Sequence, residues 1–161
     1  MPSIFLGVGS NIEPREENIA RAISLLKEKG FKIVKSSPIY QTEPVGYESQ
    51  PKFLNLVLYV KGETSPKSCL DTLKEIEREV GRRPTFPNGP RVIDLDILFY
   101  DDLVIDKPRL KIPHPKLHKR AFVLLPLSQI APNLIHPVFK KSIRELLRGI
   151  DTKGVEVWER S

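Results

Sequence analysis

Two carboxylates stand two residues apart in an apolar run near the middle of the chain. Asp94 and Asp96 interrupt the segment 92–99, whose Val, Ile and Leu residues are typical of a strand. Side chains alternate along a strand, so both acids point to one face. At about 6 to 7 Å and an effective dielectric near 20, two such charges repel by about 2 to 3 kcal/mol. The alternation places these residues on the opposite, core face: Ile93, Leu95, Ile97 and Phe99.

This repulsion favours a cation beside the two acids. Mg²⁺ suits the geometry, because it takes one or two carboxylates and completes its shell with water and phosphate oxygens. The alternative is a solvated strand face that carries two unrelated acids. These residues alone leave both interpretations open.

A third acid stands where an apolar side chain is expected. Glu77 falls at nearly the same angle as the apolar stripe of a predicted helix, and unpaired acids seldom occupy such positions. Either an internal ion pair with Lys74 or a polar contact to a ligand at the helix end explains it. Both explanations stay open here.

The basic residues indicate an anionic partner. The formal charge of +6 is compatible with nucleic acid, acidic lipid or phosphorylated small molecules, and charge alone does not choose among them. Arg82, Arg83 and Arg91 flank the proline-rich loop before the diacid segment. His114, held between two prolines, faces either a phosphate or only solvent.

The bulk composition predicts one domain over residues 1–161. This length suffices for a single core, and the 40% hydrophobic content contains no window long enough for a membrane span. The first residues lack a basic leader, and the single Cys69 has no partner within the chain. We therefore expect a cytoplasmic protein that does not contact membranes.

The turn and cap residues predict the element order βαββαβ. Strands are expected at 3–9, 31–41, 53–60 and the diacid segment. The first helix lies between Pro14 and Gly30, and the second begins at Ser65-Pro66 and ends at Gly81. This order predicts an α+β fold, a ferredoxin-like sandwich with an antiparallel sheet, both helices on one face and the other face open.

The remaining residues predict a C-terminal hairpin and helical extension. A short returning strand is expected at 103–105, an extended arm at 108–115 and an amphipathic helix at 142–147.

The third strand predicts a pocket on the open face. Its leucines share the core face, which leaves Phe53 and Asn55 on the same side as Asp94 and Asp96. An aromatic ring, an amide and two acids suit a flat heterocycle beside a metal-bound phosphate. Ordinary packing under a loop is the alternative for Phe53.

Four segments in this order resemble the pterin pyrophosphokinases of folate synthesis. They are Gly9-Ser10-Asn11, Gln50-Pro51-x-Phe53-Leu54-Asn55, Gly89-Pro90-Arg91-x-x-Asp94-Leu95-Asp96 and Pro113-His114-Pro115. Members of that family transfer the terminal pyrophosphoryl group of ATP to 6-hydroxymethyl-7,8-dihydropterin and release AMP. The resemblance implies the same reaction, with these small molecules as partners, no nucleic acid and a monomeric chain.

The resemblance also implies a role for individual residues. Asp94 and Asp96 would hold two Mg²⁺ ions that bridge the triphosphate, and Arg82 and Arg91 would join them as catalytic residues. The pterin would be bound by Thr42, Glu43, Val45, Phe53, Asn55 and Phe122. ATP would be bound by Lys74, Glu77, Arg91, Ile97, Arg109, Lys111, His114 and Arg120. The loop 82–88 resembles a mobile lid.

The chain departs from the family pattern at a few positions. Asn88 stands where a Trp is frequent, Pro115 where a Tyr is frequent, and Phe53 where some relatives have a Tyr. Lid contacts are therefore expected to differ, with Phe86 as a candidate replacement for the missing ring.

Two rival functions share parts of this pattern. An RNA-binding module uses the same element order with aromatic residues on an open sheet, but acids on that face and the lack of an aromatic-rich RNP1 segment argue against it. A nucleotidyl transferase also uses paired aspartates with two metals, and it would attack the α-phosphorus instead.

Overall fold

The computed structural model describes residues 1–43, 50–83, 85–87 and 89–158. Up to the diacid strand, its helices and strands follow the predicted order. The elements are β1 (Ser3–Ser10), α1 (Arg15–Glu28), β2 (Lys32–Ser36), β3 (Tyr40–Thr42), β4 (Phe53–Lys61), α2 (Pro66–Val80), β5 (Asp94–Tyr100), β6 (Ile105–Lys107), β7 (Leu110–Ile112), α3 (Ala121–Ile130), α4 (Ile143–Arg148) and β8 (Val155–Val157). None of the helices in this part of the chain has the length and apolarity needed to cross a membrane.

The main sheet is antiparallel, with strand order β5-β1-β4-β3-β8 and with β2 also paired to β4. Apart from β8, this is the order of a ferredoxin-like sandwich in which the predicted second strand is split into β2 and β3. The predicted α+β fold is confirmed. β1 lies at the centre, between the diacid strand β5 and the aromatic-bearing strand β4.

The core lies between one sheet face and the two long helices. The leucines of β4 pack there against the apolar sides of α1 and α2, as their alternation predicts. Ile93, Leu95 and Ile97 join the same cluster, which leaves Asp94 and Asp96 on the other face.

Phe99 contradicts the predicted alternation. Phe5 of β1 pairs with Phe99, but the next residue of β1 pairs with Ile97, so Leu98 is an extra residue on β5. Such a bulge places two residues opposite one and reverses the side-chain parity beyond it. Leu98 and Phe99 therefore both contribute to the cluster on the opposite face.

The second sheet face is only partly open. α3 and α4 cover one end of it and enclose a second apolar cluster with Phe5, Val57 and Phe99. The open region is the end that contains the two aspartates. The apolar run that starts after Arg120 forms this cover as α3. The helix predicted at 142–147 is α4, which Ser142 caps through reciprocal bonds with Glu145.

Two predicted strand boundaries are wrong. The segment 31–41 is not one strand, because residues 37–39 separate β2 from β3. The returning strand begins at Ile105 rather than Leu103 and pairs only with β7, in a separate hairpin. Both differences depend on which neighbour a strand finds, and local sequence does not contain this information.

Gly81 ends α2 in a conformation that favours glycine. Its φ is +119°, and the amide groups of Gly81 and Arg82 both donate to the carbonyl of Glu77, at 3.2 and 2.9 Å. Gly81 N also lies 3.1 Å from the carbonyl of Arg78. This C-terminal turn directs the chain toward Arg82, which enters the site described below.

We predict that Gly81→Ala destabilises the protein by about 1 to 2 kcal/mol, because a Cβ is strained at this φ. Beyond the two neighbouring residues, no atom in the described part of the chain lies within 4 Å of the added Cβ, so the effect comes from the backbone conformation. Gly149→Ala is the matched control, since Gly149 also follows a helix in open space but has φ −92°. The control is expected to be neutral or stabilising by up to about 1 kcal/mol. Urea unfolding of both variants measures the difference, and equal effects would contradict the assignment.

Candidate active site

The floor of the site is a strip of sheet without side chains. Gly7 and Gly9 occupy consecutive positions of the central strand β1 on the face away from the helices. Gly9 pairs with Asp94 on β5 and with Asn55 on β4. Gly7 pairs with Asp96 on β5 and with Val57 on β4. The missing side chains leave a hollow between the acids of β5 and the polar and aromatic residues of β4.

Asp94 is held by two arginines at the edge of this hollow. Arg82 Nη1 lies 3.1 Å from Asp94 Oδ1, and Arg91 Nη1 lies 3.1 Å from Oδ2. All three side chains are between one fifth and one third exposed, so water screens these pairs only in part. Asp94 is thus oriented and its charge is partly neutralised.

Asp96 lies deeper and lacks such neutralising partners. Among the described residues no side chain hydrogen-bonds its carboxylate, and burial, followed by the charges of Asp94 and Glu77, raises its pKa to about 7. The positive charges of Lys74 and Arg120 oppose this shift with smaller effects. Two adjacent carboxylates with this imbalance form a site that favours an added cation.

Glu77 connects α2 to the acids. It is 3% exposed, and its Oε2 accepts bonds from Arg82 Nη1 at 2.7 Å and from the Leu95 amide at 2.8 Å. Lys74 Nζ approaches its other oxygen at 3.4 Å from a half-exposed position. The internal ion pair expected for Glu77 is therefore present, with Arg82 as its closer partner rather than Lys74.

The opposite wall presents an amide and two aromatic rings. Asn55 Nδ2 donates to the buried Thr42 Oγ1 at 2.7 Å, which leaves its Oδ1 facing Gly9. Phe53 and Phe122 both line the hollow, and the Arg120 guanidinium lies 5.4 Å from the centre of the Phe122 ring. The wall therefore combines flat apolar surfaces with a fixed hydrogen-bonding group.

His114 completes the rim as a neutral side chain. Burial and the nearby Arg120 lower its pKa to about 4. Its Nδ1 accepts from the Lys116 amide at 3.1 Å, so the proton of the neutral ring is assigned to Nε2. His114 can donate a hydrogen bond without adding charge.

The structure gathers most of the predicted residues in this one hollow. Its lining includes Thr42, Glu43, Phe53, Asn55, Arg91, Asp94, Asp96, His114, Arg120 and Phe122. Arg82 and Glu77 reach it through Asp94 and the Leu95 amide.

Besides Glu77, four predicted ATP-binding residues do not line the hollow. Ile97 is buried in the core on the helix side, and Lys74 lies on α2. Arg109 and Lys111 belong to the β6–β7 hairpin, where Lys111 pairs with Asp106. Val45, predicted for the pterin, lies outside the described residues, as does Asn88 of the predicted lid.

Sequence reasoning missed the roles of three small or polar residues. The alternation that placed the acids also puts Gly7 and Gly9 on the site face, so the pattern contained this information. Asn11 is fully buried, and its Oδ1 accepts from the Arg91 amide at 2.7 Å while its Nδ2 donates to Gln50 Oε1 at 2.7 Å. These long-range contacts leave no local trace in the sequence.

The side chains of the site are of the types that bind a hard cation and an anion. Two carboxylates supply oxygen ligands, and Arg91, Arg120 and His114 surround them with donors. No group of three or more His, Cys, Asp or Glu side chains is arranged to hold a metal ion in the part of the chain that the structure describes. A metal held here would need oxygen ligands from a substrate or from water.

Comparisons with known proteins agree with this geometry. The chain is 45% identical over 145 residues to the 2-amino-4-hydroxy-6-hydroxymethyldihydropteridine pyrophosphokinase of Aquifex aeolicus, covering 90% of both chains. It is 36% identical to the Bacillus subtilis protein of the same name, covering 96% of this chain and 89% of the relative. It is also 41% identical to the folic acid synthesis protein fol1 of Schizosaccharomyces pombe, but spans only 21% of that longer protein.

Solved structures show the same fold. The chain superposes on the Plasmodium falciparum HPPK-DHPS wild type with a TM-score of 0.74 at 20% identity, covering 92% of this chain and 44% of the other. The sequence model of the 7,8-dihydro-6-hydroxymethylpterin-pyrophosphokinase (HPPK) family matches residues 5–132, which include both strands that carry the candidate site. This chain therefore belongs to the HPPK family.

Proposed function

We propose that this chain transfers the terminal diphosphoryl group of ATP to the hydroxymethyl group of 6-hydroxymethyl-7,8-dihydropterin, in folate biosynthesis. The observation that carries the proposal is one hollow in which a diacid faces an amide and two aromatic rings across a glycine floor. Family membership and relatives named for this pyrophosphokinase activity support the same assignment.

The pterin fits the wall formed by β3, β4 and α3. Phe53 and Phe122 offer flat faces for a bicyclic ring, and Asn55, fixed by Thr42, offers hydrogen bonds to its polar edge. Glu43 stands next to Thr42, and its amide donates to the Gly154 carbonyl at 3.1 Å. We assign Val45 to the same wall from the sequence.

The residues on β5 are suited to binding Mg²⁺ together with ATP. Asp94 and Asp96 are hard oxygen donors, and the unfavourable surroundings of the Asp96 carboxylate are what a nearby dication would relieve. When bound, two Mg²⁺ ions would neutralise charge on the triphosphate and align it. We assign Asp94 and Asp96 as the residues that hold them.

The basic residues around the diacid fit the phosphates. The pterin hydroxymethyl oxygen forms a bond to the β-phosphorus, the bond from that phosphorus to the oxygen bridging to the α-phosphorus breaks, and AMP departs with that oxygen. The hydroxyl proton passes to solvent water as this bond forms. Arg91 and Arg82, already directed at Asp94, together with His114 and Arg120, would stabilise negative charge on the transferred group.

The outer ATP contacts remain part of the proposal. Resemblance assigns five further residues to ATP: Lys74, Glu77, Ile97, Arg109 and Lys111. Arg109 and Lys111 lie on the β6–β7 hairpin and would have to approach the nucleotide from there. Glu77 supports the site through Arg82. Because the Ile97 side chain is buried, Ile97 would contact ATP through its backbone.

We further propose that the chain acts as a monomeric, single-domain enzyme of the cytoplasm. Its lone Cys69 is fully buried, and burial raises the pKa of the thiol to about 12, which suits a structural residue in a reducing compartment. Gel filtration and cell fractionation test these two statements.

We predict that the protein, Mg²⁺, ATP and the pterin together yield AMP and the pterin diphosphate, whereas chelation of the metal with EDTA stops the reaction. Chromatography of the nucleotides distinguishes this activity from its rivals. ADP would indicate transfer of a single phosphoryl group, and pyrophosphate would indicate nucleotidyl transfer; either product would overturn the proposal.

We predict that Asp96→Asn lowers kcat by at least about 100-fold, because it removes a charge that positions the metal and phosphates. The same change is expected to leave the melting temperature equal or higher, since it removes a buried charge beside Asp94. Asp71→Asn, at an exposed position of α2, is the control and should retain full activity. Unchanged turnover in Asp96→Asn would contradict the metal assignment.

We predict that Gly9→Ala raises KM for the pterin by about tenfold or more, equivalent to about 1.4 kcal/mol of lost binding. An added Cβ would lie 2.6 Å from Asn55 Oδ1 and must displace the amide that recognises the pterin. Gly7→Ala should have the smaller effect, since the atom nearest to its Cβ is Leu98 Cδ2 at 3.5 Å, an ordinary van der Waals contact. Steady-state kinetics with each substrate varied in turn test both variants, and a larger effect at Gly7 would refute the argument.

A further inference from the structure

A contact on the helix side of the sheet joins two distant segments behind the pterin wall. The indole Nε1 of Trp158 donates to Glu16 Oε1 at 2.8 Å, and the Arg15 guanidinium lies 5.2 Å from the centre of the indole ring. Trp158 follows β8, whereas Arg15 and Glu16 begin α1. Neither Arg15 nor Trp158 is part of the lining of the hollow.

This contact holds β8 against the strand that carries Thr42. β8 pairs with β3 from Tyr40 to Thr42, and the Trp158 amide continues the ladder by donating to the Ile39 carbonyl at 2.8 Å. The side chains of β8 itself are half-buried or exposed, so they supply little packing. Without β8, the three-residue strand β3 would be a sheet edge, which is a weakly held position.

Arg15 also reaches both strands of the pterin wall. Its Nη1 donates to the Lys52 carbonyl at 3.0 Å and approaches Gln41 Oε1 at 3.4 Å. Lys52 directly precedes Phe53, and Gln41 directly precedes Thr42. One largely buried guanidinium therefore contacts the Lys52 backbone next to Phe53 and the Gln41 side chain next to Thr42, two groups assigned to the pterin.

We propose that Arg15 and Trp158 form a positioning pair for the pterin half of the site. They act through β8, β3 and the start of β4 to hold the Thr42–Asn55 hydrogen bond and the Phe53 ring in place. The ATP half, on β5, is held separately by Glu77, Arg82 and Asp94. This inference rests on the proposed function, because it assigns Thr42, Phe53 and Asn55 to the pterin.

The decisive test compares the two substrates in the full chain. Trp158→Ala and Arg15→Ala are each expected to raise KM for the pterin about five- to tenfold while KM for MgATP changes less than about twofold. The double variant should be little worse than either single one, since residues that act as a pair are not additive. Val157→Ala, on the exposed side of β8, and Arg21→Ala, on the exposed side of α1, are the controls and should behave as wild type.

Conservative variants keep the test informative where the alanine variants fold poorly. Trp158→Phe retains a ring below the guanidinium, so its pterin KM should lie between wild type and Trp158→Ala. Arg15→Lys keeps the charge but loses the planar fork and should raise the pterin KM selectively. Calorimetric titration of the pterin, with an ATP analogue whose α–β bridge is a methylene group, measures binding without turnover.

The outcomes separate the inference from the function. Selective loss of pterin binding in these variants supports the positioning pair. Equal losses for both substrates, or no loss, would overturn it while leaving the function intact. Absence of AMP formation by the wild-type chain would instead refute the proposed function.

Discussion

The site depends on a central strand that has no side chains at two successive positions of one face, Gly7 and Gly9. Because β1 pairs with β5 on one side and β4 on the other, the groups opposite Gly7 and Gly9 are brought together over bare backbone. Acids therefore meet an amide and aromatic rings at the distance set by strand spacing, about 4.8 Å per strand. The hollow is a property of the sheet itself. Its dimensions follow from the hydrogen-bonded pairing of these three strands.

The two carboxylates of the hollow differ in how far their charge is neutralised. Arg82 and Arg91 compensate Asp94, and Glu77 fixes Arg82 by a short bond from within the core. Asp96 has no such support, and its pKa is raised to about 7 by burial and by its neighbours. Local instability of this kind is typical of functional sites, where a ligand supplies the missing interaction. The fold thus holds one acid in place and leaves the other for a cation.

Local sequence predicted the elements and the faces better than it predicted their partners. Ser65, Pro66 and Gly81 bound α2 as expected, and alternation placed Asn55 and the aspartates correctly because one face of each strand is buried. The bulge at Leu98, the break in the second strand and the cover formed by α3 all depend on long-range pairing. Resemblance grouped the site residues that alternation could not, such as Phe122 and His114, but it also included Ile97, whose side chain lies in the core.

The two halves of the site are supported by different parts of the chain. The end of α2 fixes the acidic half through Glu77 and Arg82, whereas α1 and the C-terminal strand brace the half assigned to the pterin. Asn11 links them, since its Oδ1 accepts from the Arg91 amide and its Nδ2 donates to Gln50 Oε1 and to the Pro51 carbonyl, just before β4. Its full burial makes this link stiff, because an unpaired amide there would cost about 1 to 3 kcal/mol. The Arg91 backbone and the start of β4 are therefore held in register by one side chain, while the other contacts of each half can vary separately.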